Sequence, residues 1–162
     1  MRFPNPVRSS FASGALRRAF HTYWRFSRGL TMGVRAVVLD EQGRVFLIRH
    51  TYVPGWHLPG GGVETGETTE EALRRELHEE ACIRIEGEPV THGVFYNSGA
   101  SKRDHVVVYV IRAFTVIDVK QPDREIAEAG FFALDSLPEN TTQATRRRLA
   151  EIIEGQGRIP TW

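Results

Sequence analysis

The chain has 162 residues, 41% hydrophobic and 25% charged, with 15 Gly and 8 Pro, which is average globular usage and enough chain to bury one core. No run of 18 apolar residues occurs, so stable membrane insertion through a helix is not expected, and the single cysteine, Cys82, rules out an internal disulfide or a thiol metal cluster and fits a reducing, cytoplasmic setting. The net charge of +1 divides into seven arginines and no acid in residues 1–38, then 14 basic against 20 acidic residues; an acidic body argues against general nucleic-acid binding and suits bound cations.

Residues 1–13 hold two prolines and three serines and read as an extended start. Over 14–28, Leu16, Phe20, Tyr23 and Trp24 recur at helical spacing beside a second stripe of Arg17, His21, Arg25 and Arg28, which predicts a basic amphipathic helix. Such a helix suits a transit peptide, a membrane-surface helix or a packing element. Packing, with a homodimer as the natural partner for the aromatic stripe, is the expectation, and 1–30 is set apart from a domain over 31–162.

Residues 32–39 and 44–49, joined by Asp40–Gly43, read as a β-hairpin. A short strand over 56–58 precedes Pro59 and three glycines, and a helix rich in Glu, Leu, Ala and Arg follows over 68–81. Further strands are expected over 92–96, over 105–115 (near-continuously apolar, hence central) and over 129–134. Thr141 or Thr142 can cap a last helix that Gly155 stops. Mixed strands with two flanking helices, without regular βαβ alternation, give an α/β sandwich.

The informative segment is 60–83, GGGVETGETTEEALRRELHEEACI. It lacks the Gly-Lys-Ser/Thr of a phosphate-binding P-loop, has Thr65 where a dinucleotide fingerprint needs Gly or Ala, and has Cys82 where a zinc-protease helix needs its second histidine. On the helix, Glu76, Glu79 and Glu80 lie at i, i+3 and i+4 on one face. Three carboxylates there suit hard divalent cations that take oxygen ligands, although a solvated acidic face has the same pattern. Gly60, Gly61 and Gly62 let the backbone turn sharply and bring a carbonyl oxygen close to such a cation.

This segment resembles the box of the Nudix hydrolase family, G-x5-E-x7-R-E-U-x-E-E-x-G-U with U a bulky aliphatic residue. The match begins at Gly61, sets Glu67, Arg75, Glu76, Leu77, Glu79, Glu80 and Ile83 in register, and departs only at Cys82, which stands for the last glycine. The glycine at that position usually ends the helix in a left-handed conformation, which costs another residue on the order of 1 kcal/mol.

The resemblance implies an α/β/α sandwich with a mixed sheet and the box as a loop and helix. It also implies hydrolysis of a diphosphate bond in a nucleoside diphosphate linked to another group, by attack of water on phosphorus. Mg²⁺ or Mn²⁺ is the implied cofactor, because an acidic helix otherwise repels a polyphosphate. Glu76, Glu79, Glu80 and the Gly60 carbonyl are then the expected metal ligands, with Glu67 and Arg75 paired behind them to hold the loop. The general base is a box glutamate or an acid of a later loop, of which Glu125 is the preferred candidate and Glu128 its neighbour. Arg49, Lys102 and Arg103 are candidates for substrate phosphates, and Tyr52 and Trp56 for stacking a base of a nucleotide-type substrate. A nucleotide sensor that binds without cleaving is the alternative; it would be expected to have lost box carboxylates. An isomerase branch of the same family needs a cysteine on an early strand, which this chain lacks.

Overall fold

The computed structural model describes Tyr23 and residues 29–162. The helix expected over 14–28 lies, Tyr23 apart, outside the described residues. Residues 31–162 form one compact unit in which the elements run β1 (Thr31–Val38), β2 (Val45–His50), β3 (Trp56–His57), α1 (Thr69–Ala81), β4 (Ile83–Ile85), β5 (Val90–Tyr96), β6 (Asp104–Ile111), β7 (Phe114–Val116), β8 (Ile126–Phe132) and α2 (Gln143–Ile153). No described helix is long and apolar enough to cross a membrane.

Three sheets share the core. In the first, β6 lies between a parallel β1 and an antiparallel β5; in the second, β2 lies between β3 and β8, both antiparallel; β4 and β7 pair separately. Alternation along the strands sorts the buried side chains into two layers. Val34, Ala36 and Val38 of β1 join Phe46 and Ile48 of β2 under Leu73 and Leu77 of α1, while Val37, Leu39, Val45 and Leu47 face Leu149 of α2. Helix, strands and helix thus stack as an α/β/α sandwich. Leu73 and Leu77 are fully buried, and each contributes about 1.5–3 kcal/mol by leaving water.

Both helices start where local chemistry starts them. Thr68 and Glu71 make a reciprocal capping box on α1, and the Thr142 side chain accepts the Thr145 N–H at the head of α2. Cys82 closes α1 in the left-handed conformation, φ 52° and ψ 37°, with its N–H on the Leu77 carbonyl. It is the one non-glycine residue with positive φ among those described.

Two expectations require correction. The segments over 32–39 and 44–49 are strands joined by a turn, but they do not form a hairpin. They pair only at the Leu39–Val45 bridge and then separate into different sheets, β1 along β6 and β2 along β8. Both are apolar on both faces, so each fits a central position better than a two-stranded ribbon. The strand expected over 105–115 is broken at Arg112 and Ala113: β6 stops at Ile111, and β7 turns away to pair with β4.

The free edge of β1 is taken by the glycine loop. Val34 N–H donates to the Gly61 carbonyl and Ala36 N–H to the Pro59 carbonyl, each at 2.9 Å, and Val63 N–H returns to the Met32 carbonyl at 2.8 Å. These bonds seat the loop against the sheet directly below α1.

Candidate functional site

Gly60 and Gly61 are required by close approach. Gly60 has φ 134°, and a Cβ on it would overlap the Val34 carbonyl; a Cβ on Gly61 would overlap the Glu76 carboxylate. Gly62 has open space at the same place. The first two glycines therefore bring bare backbone against the carboxylate face of α1.

Glu80 is the buried member of that face. It is 7% exposed, its Oε2 accepts the Gly60 N–H at 2.7 Å, and its Oε1 stands 3.9 Å from His50 Nε2. Burial raises its pKa to about 7, against the Gly60 N–H and the Arg35 charge, which pull it down. Glu76 lies beside Gly61 with its Oε1 2.7 Å from Arg75 Nη1. The Glu79 side chain is 60% exposed, with its Oε2 3.6 Å from the same guanidinium.

Arg75 and Glu67 are hydrogen-bonded to each other. The guanidinium takes both Glu67 oxygens, at 3.0 and 3.1 Å, and donates to the Gly62 carbonyl at 3.0 Å, so one side chain ties helix, loop carboxylate and loop backbone together. The hydrogen bond from Arg75 holds the Glu67 carboxyl below its ordinary range.

A further residue of the site, Arg35, belongs to no motif in the sequence, where it stands as the last arginine of the basic arm. Its Nη1 donates to the Leu58 carbonyl at 3.1 Å and also to the Gly60 carbonyl. The Glu80 and Glu76 carboxylates lie near enough to support its charge against the desolvation that lowers its pKa. The available signal was one full charge inside an otherwise apolar strand, Val34-Arg35-Ala36-Val37-Val38.

Among the described residues, no three His, Cys, Asp or Glu side chains are gathered to hold one metal ion. The donors nevertheless suit a divalent cation: three carboxylates at one helix face and a backbone carbonyl, all hard oxygen. A cation already stands on that carbonyl, namely the Arg35 guanidinium.

Glu125 sits in the loop before β8, close enough to Glu80 and Tyr52 to raise the pKa of both. Its N–H and that of Ile126 donate to Asp123 Oδ1 at 2.8 and 2.7 Å. Those bonds, with Lys120, hold the Asp123 carboxyl at about 2. Glu128 is engaged by Arg49 at 2.7 Å.

Arg49, Tyr52 and Trp56 share one open cavity of 430 Å³ with His50 and Asn140. Tyr52 is 67% exposed at its mouth; Trp56 packs edge-on against Phe132 at 4.7 Å. Lys102 and Arg103 lie in the exposed turn between β5 and β6, where the Arg103 carbonyl accepts Thr31 N–H, and neither lines this cavity.

Comparison with known proteins points to one family. A model of the NUDIX domain matches residues 29–152. A MutT-like protein from Streptomyces ambofaciens is 31% identical over 127 residues, 78% of this chain and 79% of its own length. An RNA pyrophosphohydrolase from Pseudoalteromonas translucida is 42% identical over 60 residues, which is 37% of this chain and 35% of that protein. Among solved structures, the MutT NUDIX hydrolase from Burkholderia pseudomallei superposes with a TM-score of 0.65 at 32% identity, over 75% of this chain and 97% of its own.

Proposed function

The chain belongs to the NUDIX family, hydrolases of phosphorus-containing anhydrides, and from that premise we propose that it is a divalent-metal-dependent pyrophosphohydrolase cleaving a nucleoside diphosphate linked to another group. The observation that carries the reading is the seating of the glycine loop on the carboxylate face, with Glu80 on the Gly60 N–H and Glu76 against Gly61.

Glu76, Glu79, Glu80 and the Gly60 carbonyl would hold Mg²⁺ or Mn²⁺. When bound, the metal screens the phosphates, polarises phosphorus and lowers the pKa of a water. The chain's own residues do the rest. Arg75 and Glu67 fix the loop so that the ligands keep their places. Glu125 takes the proton from the attacking water. Arg49, Tyr52 and Trp56 form the wall against which a nucleotide-type substrate lies, the arginine offering a phosphate contact and the aromatics a stacking face.

Residues 31–162 are the catalytic domain in this proposal and 1–30 an extension that packs on protein, as at a homodimer interface. Deleting residues 1–28 should then lower thermal stability or change the mass seen by light scattering. Salt-sensitive binding to anionic vesicles, lost on deletion with stability and mass unchanged, would overturn the packing role.

The deciding experiment is a panel of nucleoside diphosphate derivatives incubated with Mg²⁺ and with Mn²⁺, products being identified by chromatography. At least one should be cleaved, and chelation should abolish the cleavage. Undiminished turnover in excess EDTA overturns the metal reading; binding across the panel without turnover points instead to a sensor.

A further inference from the structure

The carbonyl oxygen of Gly60 faces a conflict. The proposed function gives it to a divalent cation, yet the Arg35 guanidinium already donates to it and, at 3.1 Å, to the Leu58 carbonyl two residues earlier. Arg35 is anchored on β1 between Val34 and Ala36, whose N–H groups hold the same loop through Gly61 and Pro59. The Glu80 and Glu76 carboxylates are the negative charges that act on it most strongly. Arg75 already pairs with Glu76 at 2.7 Å, which leaves the buried Glu80 as the carboxylate that relies on the Arg35 charge.

We propose that Arg35 is a built-in counter-cation of the metal site: its guanidinium holds the Gly60 carbonyl and balances the buried Glu80 while the metal is absent, and it gives way when a divalent ion takes that carbonyl. The guanidinium occupies one lone pair of that oxygen and repels a divalent ion approaching the other. Metal affinity is therefore set by a competition inside the protein, and the loop stays assembled in both states. The inference rests on the metal reading above.

The test begins with wild-type protein titrated with Mn²⁺ and followed by calorimetry. Absence of binding would end the metal reading and this inference with it. Where wild type binds, Arg35→Met should bind Mn²⁺ at least about tenfold more tightly, because both the competitor and its repulsion are gone. Its melting temperature in EDTA should fall, and saturating Mn²⁺ should raise it by more than it raises wild type. Arg35→Lys, which keeps the charge on a shorter side chain of different shape, should fall between the two.

A readout on unaltered protein covers variants that fail to fold. In Mg²⁺ titrations followed by NMR, the Arg35 Nε–H signal should move with the same saturation as the Gly60 amide. An unchanged affinity in Arg35→Met, or an Arg35 signal that stays still while the Gly60 amide moves, would overturn the proposal and leave the metal reading intact.

Discussion

Lys120 Nζ donates to the backbone carbonyl of Glu79 at 2.7 Å and pairs with the Asp123 carboxylate at 2.5 Å. One ammonium thus pins the loop before β8 to the last turn of α1. Asp123 in turn receives the N–H groups of Glu125 and Ile126, so the placement of Glu125 beside the box depends on Lys120. Lys120→Met should lower kcat about tenfold, with a smaller change in KM, and Lys120→Arg should recover part of the loss; Glu125→Gln should cost about 10²-fold or more, the usual contribution of a positioned base. Steady-state kinetics decides it, and an unchanged rate in Glu125→Gln would remove that residue from the role.

Replacing Glu79 or Glu80 with Gln keeps size and helix propensity and removes a proposed ligand charge. The rate should fall at least about 10²-fold with circular dichroism unchanged. Glu70→Gln and Glu71→Gln, at the first turn of the same helix, should do little. Equal and small effects at all four positions would make the acids a solvated face.

Glu80 also predicts a pH dependence. Its folded pKa, about 7, lies above the ordinary 4.5, so between those values the folded state holds a proton that the unfolded state has released. Stability of metal-free protein from this group is therefore lost as pH rises from about 4.5 to about 7. His50 and His57, whose pKa values burial lowers, act in the opposite direction below 6.5. Melting curves of wild type against Glu80→Gln isolate the Glu80 contribution, and Mn²⁺ affinity should rise through the same window because the ligand must be ionised.

The three loop glycines should separate cleanly under alanine substitution. Gly60→Ala meets the Val34 backbone at a left-handed φ and should cost on the order of 2–3 kcal/mol. Gly61→Ala pushes the Glu76 carboxylate aside, so activity should fall further than stability. Gly62→Ala meets nothing and should resemble wild type in both assays.

Cys82→Gly should stabilise the protein, since the left-handed φ of 52° suits glycine by roughly 0.5–1 kcal/mol. For a chain of this size, that corresponds to a rise of about 1–4 °C in Tm. Calorimetry checks it, and a lower Tm would show that the cysteine side chain contributes more than its backbone costs.

What could be read from the chain was local. The cap at Thr142, one of the two threonines the pattern offers, the left-handed helix end at position 82 and the i, i+3, i+4 carboxylates each depend on residues a few positions apart; the Thr68 cap, which the pattern set inside the helix, is equally local. The parting of β1 from β2 is not local. It is decided by the parallel pairing of Thr31–Val38 with Asp104–Ile111, some seventy residues away, and nothing in the Asp40–Gly43 turn distinguishes a hairpin from a crossing between sheets. Arg35 was hidden for the same reason: charge counting assigned it to the basic arm, and only the packing of the glycine loop on β1 reveals which carbonyls it serves.

That packing has a mechanical consequence. Since Val34 and Ala36 donate their amides to the Gly61 and Pro59 carbonyls, a segment that reads as a loop is fastened as an additional strand. It can swing away only by breaking bonds to the sheet interior. The amide protons of Val34 and Ala36 should accordingly exchange with solvent deuterium as slowly as those of β6, and faster exchange at these two positions alone would time the opening of the site.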